Sequence, residues 1–241
     1  MTSAATDNTG NAGMGDLAEI FYAPSAVFAR RTDGKFGMPY LALVILGIVI
    51  FFATKGLIQP AVDAEIARGM AAAAAKNPAM TPDQIAAGAA MGKTIASIGI
   101  VAVWAVAPFL IGLFIWIAGK VAKVERVGTI AIMVATFSFF PRLLGSIVGA
   151  VFAAMVPDGG SMTLATISAG PARFVDATTA PLLFAVAGRF DVFIIWGVVL
   201  IAIGVRVAGK ATNQQAWTTA IGAWAIPTIL AVGSAMLRAG K

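Results

Sequence analysis

Five stretches of the chain approach or exceed the ~20 apolar residues that an α-helix needs to cross a hydrocarbon core of about 30 Å. They are Met38 to Ile58, Ala96 to Ala118, Val127 to Val156, Asp191 to Ala208 and Ala216 to Leu237. A chain so patterned has few choices. Inside lipid every backbone N–H and C=O must find a partner within the protein, which leaves helices or closed barrels, and the length of these runs selects helices. Composition agrees: 59% of the 241 residues are hydrophobic and 12% are charged, against roughly a quarter charged in soluble domains. The expectation is an all-α fold, a polytopic transmembrane helix bundle with five spans.

The third stretch is too long for an upright span, at roughly 45 Å of ideal helix. Within it FSFFPRLLGSIVGA places a proline directly before an arginine. Pro141 lacks the donor for the carbonyl of Phe137 and its ring clashes with that carbonyl, so a helix break is expected there. Arg142 then lies past the midplane, toward the outer surface. Asp191, at the head of the fourth span, is the candidate partner, through an Arg–carboxylate fork. A charge pair that fixes two helices is one reading of Arg142, and an anion or lipid-headgroup site is the other.

Orientation follows from lysines and arginines near the span ends. Arg30, Arg31, Lys35, Lys120, Lys123, Arg126, Arg206 and Lys210 cluster in the short segments on one side. That side is read as cytoplasmic, which puts the N-terminus inside and the C-terminus outside. Residues 1–15 are polar and rich in small residues and are expected to form a disordered cytoplasmic tail. Residues 16–36, with LAEIFYAPSAVFARR, read as an amphipathic segment on the membrane surface. Phe21, Pro24 and Phe28 sit at the headgroup boundary in this reading, and Arg30 and Arg31 on anionic lipid. Residues 37–241 form the membrane domain. An extracytoplasmic helical hairpin is expected at about 60–95, because the alanine-rich run is interrupted at Lys76-Asn77-Pro78 and TPDQ reads as a helix start with Thr81 as cap.

The chain contains no histidine and no cysteine, which removes the usual zinc and iron–sulfur ligands and imidazole base chemistry. No central span position holds Asp, Glu or Lys, so neither a proton relay nor a Schiff-base lysine is legible. No enzyme activity, metal or cofactor is expected. Prolines at 108, 141 and 227 leave a small transporter or channel open as an alternative, with Arg142 lining an anion or lipid-headgroup site.

The run IFYAPSAVF before the first span and FDVFIIWGVVLIAIGVRVAGK into the fourth resemble the bacterial branch of the Yip1 domain family, from about Leu17 to the end. The most specific element is Phe190-Asp191-x-Phe193 with Trp196 and Gly204; Pro24 with Phe28 adds to it. The resemblance implies a cytoplasmic N-terminus, five spans and a short C-terminus on the far side. Eukaryotic members act in early secretory traffic and bind Rab-type GTPases and each other. This chain keeps only Ala23-Pro24 where those members carry a longer Asp-Leu-Tyr-Gly-Pro type motif, so GTPase binding is in doubt. The partners implied are membrane lipids and, as an oligomer, the chain itself or a larger membrane complex, with no nucleic acid. The alanine-rich, cysteine-free composition suits a bacterial inner membrane.

Overall fold

A computed structural model describes residues 9–156, 162–176 and 179–239, and every regular element among them is helical. The helices are α1 (Thr9–Glu19), α2 (Pro24–Arg30), α3 (Gly37–Lys76), α4 (Pro82–Val121), α5 (Val127–Ser138), α6 (Phe140–Ala154), α7 (Pro181–Ala187), α8 (Val192–Val207) and α9 (Asn213–Ala239), with a 3-10 turn at Pro171–Phe174 before α7. Four helical segments are long and apolar enough to cross a membrane: Gly37–Lys76, Pro82–Val121, Val127–Ala154 and Asn213–Met236. The α8 helix is apolar but has only 16 residues.

The third span is interrupted at Phe139, two residues before Pro141. The Phe139 N–H reaches back to the Thr136 carbonyl at 3.2 Å, an i→i−3 bond that tightens the last turn of α5. Pro141 supplies the cause, since it offers no N–H to Phe137 four residues earlier. In this span most of the apolar window is buried, whereas in α3, α4 and α9 it is largely exposed, as lipid-facing helices require.

The chain divides into two compact units. One joins the chain up to Ile45, Pro108–Pro141 and Ile195–Pro227. Its core contains Ile20, Phe28, Ile115, Ile130, Met133, Phe137, Phe140 and Leu200, all fully or almost fully buried. Close helix approach rests on small residues: a Cβ on Gly197 would stand 2.8 Å from the Ser138 carbonyl oxygen, and one on Gly222 2.9 Å from the Ala118 Cβ. Gly34, between α2 and α3, has φ +76, and a Cβ there would fall 2.0 Å from the Thr129 carbonyl oxygen, so both backbone and space demand glycine. The buried hydroxyls of Thr136, Ser138 and Thr219 bond carbonyls of their own helices at 2.7–2.8 Å.

The other unit joins Leu46–Ala107, Arg142–Ile194 and the chain from Thr228. Within it α3 and α4 run antiparallel, with Gly47 against the Trp104 ring, Gly92 against Ile66, Gly88 against Met70 and Lys93 paired to Asp63 at 3.1 Å. The helices continue beyond the apolar runs and the chain reverses between Lys76 and Pro82. At the reversal the Thr81 N–H donates to Gln84 Oε1 at 3.0 Å, and the Gln84 N–H donates to Thr81 Oγ1 at 3.3 Å, a reciprocal cap that starts α4. Thr212 and Gln215 repeat the device at the head of α9.

Candidate functional site

Among the described residues, one group of charged side chains in each unit bears on the residues singled out from sequence. In the first unit they fix the N-terminal segment. The α1 helix ends in a turn closed by the Ala23 N–H on the Glu19 carbonyl at 2.8 Å, and Pro24 opens α2 at a position where no N–H is needed. The turn folds α2 back so that Asp16 meets both arginines. Asp16 is only 2% exposed. It accepts Arg30 Nη2 at 2.6 Å on one oxygen, and Arg31 Nε at 2.8 Å and Nη2 at 2.7 Å on the other. Such a buried carboxylate is tolerable only because charge-assisted bonds engage both oxygens. Glu19 also accepts Arg30, and together the Glu19 and Asp16 carboxylates hold that guanidinium well above its ordinary value. Arg31 lies 5.7 Å from the centroid of the Phe137 ring. Arg126 donates to the Thr32 carbonyl at 2.8 Å, and Gln215 to the Lys123 carbonyl at 3.0 Å.

This arrangement departs from the surface-anchor expectation at Phe28. Phe28 is 0% exposed and packs edge-on to Phe137 with centroids 5.8 Å apart, so it is a core residue and not a boundary anchor. Phe21 is half-buried and meets Trp196 edge to face at 5.5 Å. Pro24 is half-buried at the start of α2. Arg30 and Arg31, expected on anionic lipid, pair with the Asp16 and Glu19 carboxylates. The physical reason is that α1 brings carboxylates within reach of the arginine pair, and an apolar face that can be buried by protein gains more than one left at the boundary. Since α1 begins at Thr9, the tail expected over residues 1–15 is helical in its last part, and residues 1–8 lie outside the described residues. Asp16 and Glu19 were missing from the sequence reading. Their signal was two carboxylates ahead of an adjacent arginine pair.

In the second unit the charges surround Asp191. Its Oδ1 accepts the Phe193 N–H at 2.9 Å, capping α8. Its Oδ2 accepts the Ala169 N–H at 3.0 Å and the Ser168 hydroxyl at 3.2 Å. The Ser168 oxygen in turn accepts the Gly170 N–H at 3.0 Å. Gly170 must be small, because its Cβ would lie 3.0 Å from the Asp191 Cα. Arg142, half-buried in α6, has the Asp191 carboxylate and the Arg189 guanidinium as its charged neighbours. Asp191 thereby ties the loop before α7 to the head of α8. Beside it, a Cβ on Gly145 would stand 2.8 Å from the Phe193 ring.

Among the described residues no group of three or more Asp or Glu side chains could hold a metal ion. No curated protein and no solved structure matches the chain. A family model does: the Yip1 domain matches residues 18–235, nearly the whole of both units, including the Phe21–Trp196 contact and the Asp191 cap. With its all-helical fold and its apolar helices long enough to cross a membrane, the chain is an integral, multi-pass membrane protein and belongs to the Yip1 domain family.

Proposed function

We propose that the chain is a non-enzymatic five-span protein of the bacterial inner membrane, with its N-terminus in the cytoplasm and its C-terminus on the far side, that organises membrane lipid or partner proteins. The observation that carries the reading is the docked N-terminal segment. Asp16, Arg30 and Arg31 spend their charges on holding α1 and α2 in place, and Phe28 is built into the core beneath them. A segment held this way is a preformed surface for a partner, since little ordering entropy remains to be lost on binding. The experiment is purification from native membranes in mild detergent, comparing the native chain with Asp16→Ala. Under this reading the same protein or lipid accompanies the native chain and is lost from the variant. Identical company for both, or none for either, counts against it.

A second reading, a small anion transporter, draws on the placing of Arg142 beside a second guanidinium, that of Arg189, as well as the Asp191 carboxylate. Anion flux into liposomes carrying the protein, abolished by Arg142→Gln, would move this reading ahead of the first.

A further inference from the structure

The α8 helix has 16 residues, roughly 24 Å at 1.5 Å per residue, which is about 6 Å less than the hydrocarbon core. Its C-terminal end carries Arg206, followed by Lys210, so that end belongs at a water interface. Its other end then stops below the opposite surface, and the residues just before it must themselves be compatible with lipid.

The segment preceding α8 has that character. It is firmly built: Met162 packs against Ala61 and Ala153, Thr163 and Thr166 bond each other's backbone N–H, and Asp191 holds Ser168 and Ala169. On this base the 3-10 turn and α7 pack together. They present large apolar side chains outward, with Phe174 84% and Leu183 58% exposed, and Leu182, Val186 and Phe190 also exposed. Outward aromatic and aliphatic groups in such a patch would be a liability in water. Arg173 adds the matching polar element. Its guanidinium lies 4.6 Å from the centroid of the Phe152 ring and 5.6 Å from that of Phe174, and no carboxylate pairs with it among the described residues.

We propose that the 3-10 turn, α7 and Phe190 lie in the headgroup–acyl boundary of the far leaflet, with phospholipid as the occupant of their apolar face and Arg173 directed at lipid phosphate, so that they complete the crossing that α8 is too short to make. The patch is continuous with α6 and α8, whose flanking residues Val151, Met155 and Val192 are likewise apolar and exposed. The proposal rests on the five-span reading, because it needs α8 to cross.

The native chain has no cysteine, so single cysteines report cleanly. Phe174→Cys, Leu183→Cys and, as an aqueous reference, Asn77→Cys are labelled with an environment-sensitive fluorophore. Each is reconstituted into phosphatidylcholine–phosphatidylglycerol vesicles containing doxyl-labelled phosphatidylcholine. Emission at 174 and 183 is expected to shift to shorter wavelength than at 77, with stronger quenching by a shallow doxyl group than by a deep one. Thr179→Cys and Asn213→Cys, probed with an impermeant thiol reagent, establish whether α8 crosses, and are expected to react from opposite sides. Opposite sides combined with water-like emission and iodide quenching at 174 and 183 would overturn the boundary placement alone. Reaction from the same side would overturn the five-span reading and the proposal with it.

Discussion

The ring of Phe28 stands 3.0 Å from the place that a Cβ on Gly204 would occupy, and the methyl carbons of Val134 stand 2.9 Å from it. The two sequence stretches that resemble the Yip1 domain, one before the first span and one in α8, therefore meet in space. Phe21 on Trp196 is a second contact of the same pair of stretches. Their residue types depend on each other: the α8 helix needs a glycine where the α2 helix inserts an aromatic ring.

Gly204→Ala is accordingly expected to destabilise the protein by about 1–3 kcal/mol, because an added methyl meets packed atoms on two sides. Gly56→Ala, in α3 where nothing lies within 4 Å of the new methyl, should instead be neutral or stabilise by about 0.5–1 kcal/mol through helix propensity. Thermal unfolding of the two variants in the same detergent checks the contrast. Equal effects would mean that the Phe28 contact carries no weight.

The N-terminal segment yields a prediction about truncation. Removing residues 2–8 should leave the melting temperature unchanged, whereas removal through Glu19 strips Arg30 and Arg31 of their carboxylates and exposes the core beside Phe28. Asp16→Ala isolates the charge component. A fully buried pair broken on one side costs about 3–5 kcal/mol. Arg30 is partly solvated, so a loss of about 1–3 kcal/mol is expected here. Glu19→Ala should cost less than Asp16→Ala, because Glu19 is the more exposed carboxylate and, among the described residues, pairs with Arg30 alone.

Hydropathy made the long helices legible, since lipid imposes a length and an apolar composition that few other environments demand. TPDQ gave the start of α4, because a capping box is a purely local code. The expected break at Pro141 also draws on a local signal, the missing N–H. Its position at Phe139 was not legible, because the strain relaxes into the preceding turn. The burial of Phe28 within LAEIFYAPSAVFARR was not legible. An amphipathic stretch has the same pattern whether lipid or protein covers its apolar face, and the decision lay with Gly204, Trp196 and Phe137, far along the chain. Asp191 was found through its charge, while its role as cap and loop tie depended on Ser168 and Ala169, which carry no pattern of their own.

Orientation can be settled with exposed positions. Lys120→Cys and Asn213→Cys should be shielded from an impermeant thiol reagent in intact cells, and Asn77→Cys at the α3–α4 reversal should react. The asymmetry rests on the basic residues in the short segments flanking α5 and α8. Reaction at Lys120→Cys without permeabilisation would invert the topology.

Arg142 and Asp191 can be separated by what each substitution leaves behind. Asp191→Ala removes the acceptor for three donors as well as the charge beside Arg142, whereas Asp191→Asn keeps an acceptor oxygen and a similar shape. Loss of the cap alone is worth about 0.5–2 kcal/mol. Unpaired Ser168 and Ala169 groups add to it, so Asp191→Ala is expected to lower the thermal midpoint in detergent clearly more than Asp191→Asn. Arg142→Met removes the guanidinium beside Asp191 but leaves the Asp191 bonds to Ser168, Ala169 and Phe193 in place. Combining Arg142→Met with Asp191→Asn tests the electrostatic link by itself. If the two residues stabilise one another, the double variant loses less than the sum of the singles by about 0.5–3 kcal/mol. Strict additivity would detach Arg142 from Asp191.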